Sequence, residues 1–225
     1  MTSKKINSNT FTALYTMVLQ QTQYILAGAG VALVAVSLFL GYTVWMQQKD
    51  KSAQNDFGSL MMEYHALVHE KSAERDELLE KFKQGYEKHS GSSLAPYFLA
   101  YQARILISQG KHAEALDMLN RVVTQYVGSP LHTAFRMEKD LLALDYANEF
   151  EKQAALEDLI ALSQDTNNSL KDSALFYLGR YYWATNQLEQ ARNTWQILVD
   201  EQRDEKIAPS PWASQVKNYL SATLV

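Results

Sequence analysis

Ala115, Leu119 and Val122 recur as Ala155, Leu159 and Leu162, and again as Ala191, Trp195 and Leu198. Each triplet is spaced i, i+4, i+7, which puts its three side chains on one face of a helix. Ahead of each triplet lies a second stretch of helical period with its own small residue, Ala103, Ala143 or Gly179, at successive offsets of 40 and 36 residues. A small residue on one helix lets a large one on its neighbour come close, because the separation of two helix axes is set by the side chains between them. A pattern repeated three times at a near-constant period predicts stacked helix hairpins, none of which can bury its apolar face alone.

The clearest copy runs from Asp172 to Val199, DSALFYLGRYYWATNQLEQARNTWQILV, with Leu178, Gly179 and Tyr182 before a turn at Asn186 and Gln187. A second, PYFLAYQARILISQGKHAEALDMLNRVVTQYV from Pro96 to Val127, places Ala103 and Leu106 before a turn at Gly110. A weaker copy between them offers Leu142, Ala143 and Tyr146 before its triplet. These residue types at these offsets resemble the tetratricopeptide repeat. Upstream, Asp56–His69 and Glu74–Lys88 have helical spacing and read as a degenerate first hairpin, while Ser210 and Pro211 make a capped start for a closing helix carrying Trp212, Val216, Tyr219 and Leu220.

Residues Tyr24 to Met46, YILAGAGVALVAVSLFLGYTVWM, contain no charge, and the uncharged run extends from Ile6 to Gln48. A hydrocarbon core about 30 Å thick needs roughly 20 apolar residues in a helix, and Ile25–Trp45 supplies twenty-one. The run exceeds the about 7–15 apolar residues of a cleavable signal and lacks a small-x-small exit, so it reads as an uncleaved anchor. The predicted fold is therefore all-α: one N-terminal transmembrane helix, then a tetratricopeptide-like α-solenoid of about four hairpins and a capping helix. The segments are 1–23, cytoplasmic or interfacial, with Phe11, Leu14, Tyr15 and Val18 on one helical face against membrane lipid; 24–46, the span; 47–95, a juxtamembrane helix and the first hairpin; and 96–225, the repeats and cap. The flanking lysines tie, Lys4 and Lys5 against Lys49 and Lys51, and the absence of acids before the span tips the reading to a cytoplasmic N-terminus.

Residues 49–225 hold 19 basic and all 25 acidic residues, a net charge of −6, which excludes a nucleic-acid binder. With no cysteine in the chain, disulfides, thiol nucleophiles and cysteine-ligated zinc are excluded. No phosphate-binding glycine loop or nucleophile elbow is present, and the acids alternate with Lys, Arg and Gln as on solvated helix faces. His65 and His69 share a helical face, but no third ligand can be named. The reading is a non-enzyme without cofactor or metal.

The order of segments, with the motifs GYTVW, KFKQGYEKHSGSSLAPYFLAYQARILISQGKHAEALDML, LGRYYWATNQLEQARNTWQ and PSPWASQVKNYLSATLV, resembles the ancillary subunit of the bacterial Sec translocon, the YfgM-like family. The resemblance implies an inner-membrane protein with its repeats in the periplasm. Its implied partners are the translocon (SecYEG), a membrane-anchored periplasmic chaperone and newly exported protein clients. A membrane-tethered repeat scaffold facing the cytoplasm and assembling another complex is the alternative. In a tetratricopeptide stack the first helix of each hairpin lines the concave face, which here puts Tyr97, Arg104, Met137, Leu144, Phe176, Arg180 and Trp183 in the partner-binding groove.

Overall fold

The triplets are realised as α-helices joined in pairs. The computed structural model describes residues 39, 43–45, 47–67, 72–201 and 210–222, and the chain divides into two units, Met1–Ser52 and Ala53–Val225. In the first unit the described residues are helical, and Lys49 Nζ lies 4.0 Å from the centre of the Trp45 ring. The expected interfacial segment lies outside the described residues, as does the predicted span apart from Phe39 and residues 43–45. Among the described residues, no helix is long and apolar enough to cross a membrane.

In the second unit α1 covers 53–67, followed by α2 (Ser72–His89), α3 (Ala95–Ser108), α4 (His112–Gln125), α5 (His132–Tyr146), α6 (Glu149–Gln164), α7 (Lys171–Ala184), α8 (Leu188–Glu201) and α9 (Pro211–Ala222). No strand occurs among the described residues. Each helix from α2 to α9 packs on the next in sequence, and α9 also touches α7. The degenerate first hairpin is held by Phe57 of α1, whose ring meets Phe82 of α2 and Phe98 of α3 edge-on at 6.2 and 5.2 Å. Asp56 ties α1 to α2, accepting from Lys88 Nζ and lying beside His89 Nε2, both at 2.7 Å.

Two hairpins turn by the same device at equivalent repeat positions. Gly110 takes φ +76° and Asn186 φ 61°, the left-handed conformation that glycine and asparagine tolerate best. The following amide then reaches back over the helix end: Lys111 N–H donates to Leu106 O at 2.9 Å and Gln187 N–H to Tyr182 O at 2.7 Å, satisfying carbonyls the helix leaves open. The middle hairpin turns differently. Ala147 is extended, and Asn148 caps α6, its Oδ1 accepting from Glu151 N–H at 3.0 Å while its Nδ2 donates to Glu151 Oε2 at 2.8 Å.

Gly179 shows why the repeat needs a small residue. The Trp195 side chain is fully buried, and its Nε1–H donates to Phe176 O at 3.2 Å. A Cβ added at Gly179 would stand 2.6 Å from Trp195 Cε2 and nearer still to Nε1 and Cδ1, well inside the ~3.5–4.0 Å of a carbon contact. The space freed by the glycine is filled by the indole. Gly85 admits Phe98 in the same way, an added Cβ lying 2.5 Å from Cε1.

One chemical change should therefore have opposite signs at two glycines. Gly58 lies exposed on α1 with nothing within 4 Å of an added Cβ, so Gly58→Ala raises stability by up to about 1 kcal/mol. Gly179→Ala lowers it by about 1–3 kcal/mol through overpacking. Urea unfolding followed by circular dichroism reads both; a stabilising Gly179→Ala would mean that the indole is not seated there.

Candidate functional site

The seven predicted groove residues all lie on first helices, α3, α5 and α7, but in different surroundings. Leu144 and Phe176 are buried, Phe176 stacked on Trp212 of α9 at 4.5 Å; burial removes both from any contact surface. Tyr97 is half-buried and edge-on to Phe57 and Phe135 at 6.1 and 5.8 Å. Met137 is half-buried against the core of the middle hairpin. Trp183 is 45% exposed and rests its ring on Tyr219 at 5.6 Å.

The two arginines are not equivalent. Arg104 Nε and Nη2 donate to the two carboxylate oxygens of Glu138 at 2.8 and 2.9 Å, a forked pair between the first helices of adjacent hairpins. Its Cζ also lies 4.7 Å from the centre of the Tyr101 ring. The hydrogen bonds that Arg104 donates to Glu138 hold the guanidinium pKa above its ordinary value. Arg180 is exposed, has no ion-pair partner among the described residues, and lies 6.0 Å from the centre of the Phe176 ring. Glu138 is a residue sequence reasoning missed: it stands 34 residues after Arg104, short of the 40-residue offset between these copies, so aligning the repeats does not pair the two.

On the other side of α5 a cleft of about 960 Å³ opens between α4 and α6. Alanines make the space: Ala113, Ala143, Ala154 and Ala161 line it. Five carboxylates, Asp117, Asp140, Glu151, Glu157 and Asp158, face two cations, Arg136 and Lys139. Arg136 forks onto Asp158, with Nε 3.3 Å from Oδ2 and Nη2 on Oδ1, and Lys139 Nζ lies 3.0 Å from Asp140 Oδ1. Asp140 is 0% exposed, with the Lys139 ammonium and the Asp158 carboxyl as its polar neighbours. Burial, with the Asp158 carboxyl beside it, pushes Asp140 up to about 7. At Asp158 burial acts upward too, but the hydrogen bond from Arg136 and the neighbouring positive charges outweigh it and leave that carboxyl below its usual range.

Asp140 was not among the predicted site residues, and a signal for it exists. Counting by the repeat offsets, it occupies the position of Ala100 in one copy and Phe176 in the next, and all three are buried. An ionisable residue stands where the other copies place an apolar one. Among the described residues no group of three or more His, Cys, Asp or Glu could hold a metal ion. His65 is exposed on α1, and His69 lies outside the described residues.

The tetratricopeptide repeat model matches residues 99–129 and 173–204, the segments of the α3/α4 and α7/α8 hairpins. The second unit is a tetratricopeptide-like array. The middle hairpin lies outside both matches, and its turn has no left-handed residue. Among solved structures, the nearly identical TPR-like repeats of a Podosopora anserina protein assigned as a kinesin light chain are similar at TM-score 0.51 and 16% identity, over 79% of this chain and 84% of that one. A point variant of those repeats gives TM-score 0.52 at the same identity and coverage. The likeness is one of fold. No curated protein matches the sequence.

Two outcomes follow from the ion pairs of the repeats. Arg104→Glu sets a carboxylate against half-buried Glu138 and should lower stability by about 1–2 kcal/mol, whereas Arg180→Glu should stay within about 0.5 kcal/mol of the parent; equal melting temperatures for the two would refute the assignment of the fork. At Asp140 the folded-state pKa lies above the ordinary carboxylate value, so the folded state retains a proton that the unfolded chain has released. That stability is complete below about pH 4 and is lost as pH rises through 7. Asp140→Asn should therefore gain in melting temperature over the parent between pH 4 and pH 8 and gain nothing below pH 4; a pH-independent difference would contradict it.

Proposed function

We propose that the chain is a single-pass membrane protein whose tetratricopeptide array binds other proteins on the periplasmic side, as an ancillary component of the Sec translocon acting beside a membrane-anchored periplasmic chaperone on newly exported chains. The binding role rests on one observation above all: the first-helix side of the array leaves Arg180 without an ion-pair partner among the described residues and Trp183 45% exposed, over an aromatic layer of Phe176 and Tyr219. Arginine and tryptophan are enriched among the residues that dominate protein–protein affinity. Support for the membrane and translocon parts comes from the uncharged residues 24–46 and from the family resemblance of the chain's segment order and motifs.

Because the native chain has no cysteine, Ser3→Cys and Gly128→Cys report topology cleanly. Gly128 is exposed, with nothing within 4 Å of an added Cβ. In intact cells a membrane-impermeant maleimide should label position 128 and not position 3; the reverse would leave a scaffold facing the cytoplasm and remove the translocon reading. Crosslinked complexes purified through this chain should contain translocon subunits, with recovery falling several-fold in Arg180→Glu. Recovery of other proteins without translocon subunits would leave a binding array with different partners.

A further inference from the structure

The α4–α6 cleft breaks the rule that the rest of the array obeys. Its floor carries a carboxyl at a repeat position that is apolar in the adjoining copies, fully buried beside a second carboxyl and with the partly exposed Lys139 ammonium 3.0 Å from Oδ1. A carboxyl buried at such a position lowers stability, and departures of this kind concentrate at functional sites. The two cations of the cleft are already engaged, Arg136 with Asp158 and Lys139 with Asp140. That leaves Asp117, Glu151 and Glu157 with no ion-pair partner among the described residues, on walls whose apolar part is mostly alanine. Next to this acidic cleft are two exposed rings. Tyr146, 55% exposed, closes α5, and Phe150, 84% exposed, begins the stripe Phe150, Ala154, Glu157, Ala161 along α6.

We propose that this cleft is a docking site for a basic segment of a partner protein, whose Lys or Arg side chains enter between Asp117 and Glu157 towards Asp140 while its apolar residues cover Tyr146 and Phe150. The occupant is fixed by charge complementarity. An anionic segment would meet five carboxylates, and the described residues hold no ligand set for a metal ion. The volume suits a few residues of an extended or helical segment. An entering cation takes the place of the Lys139 ammonium on Asp140, and that ammonium, on a side chain still partly in water, swings outward. The proposal rests on the protein-binding reading given above and names a second surface for it, on the opposite side of α5 from Arg104 and its Glu138 partner.

The test is fluorescence anisotropy on the full chain with three probes: a nine-residue peptide of alternating Lys and Leu, the same peptide with Glu for Lys, and spermidine as competitor. Asp117→Asn with Glu157→Gln neutralises two exposed carboxylates that hold no ion pair, and Asp140→Asn neutralises the floor at constant volume. The basic peptide should bind the parent, the acidic one should not, and each variant should weaken the basic peptide about tenfold or more. Arg180→Glu, on α7, should leave its affinity unchanged. Because Asp140→Asn is expected to melt no lower than the parent at neutral pH, loss of binding in it is not loss of fold. Unaltered binding in both variants, no binding to the parent, or spermidine occupying the cleft where the peptide does not, would each overturn the proposal. In any of these cases partner crosslinking that still depends on Arg180 would leave the binding role of the array standing, so the two failures are told apart.

Discussion

The array depends on the exchange of one side chain's volume for another across the interior of a hairpin. Trp195 occupies the place where Gly179 has no Cβ, and in doing so brings its indole N–H onto the carbonyl of Phe176. Phe176 is thereby fixed on the far side of α7, where its ring receives Trp212, and the position of α9 follows. Ala103 and Ala143 stand at the equivalent point of the earlier hairpins, buried against Leu119 and Leu159 in the equivalent place of the partner helix. One pair of residues per hairpin sets how near its helices come, and everything stacked on that hairpin inherits the distance.

Much of this architecture could be read from spacing, because a helix exposes its buried face as a period. The triplets, the prolines that open α3 and α9, and the turns at Gly110 and Asn186 are local features with one physical meaning each. The inner stripe was less legible. A first helix must satisfy its own hairpin and the hairpins on either side, so apolar residues occur on more than one of its faces, and spacing does not say which face is covered. Leu144 and Phe176 share the helical face expected of a groove, yet packing against neighbouring helices buries both. Arg104 has the character of a binding residue, but its fork is filled by Glu138 from the next repeat, a contact that only the stacking reveals.

The cleft was illegible for a different reason: it is made by what is missing. Alanine is as good a helix residue as any, and a row of them along α4, α5 and α6 reads as ordinary helix until three helices are placed together and found not to fill the space between them. Asp140 could be read only by aligning the copies, since in its own helix an acid beside Lys139 looks like another solvated pair. At neutral pH part of the population carries a proton on it and no charge, which spares the interior an ionised carboxylate at the expense of taking that proton up. The molecule thus tolerates a buried acid in the middle of its array without unfolding there.

The closing helix has a consequence for how many molecules can join. A stack of hairpins has no natural end, since the surface that each presents is the one its successor would cover. Left bare, the outer side of α7 and α8 would be a template for the first hairpin of a second chain, and copies would add head to tail into a filament. By laying Trp212 and Val216 onto that surface, α9 supplies from within the chain a cover that another molecule would otherwise supply.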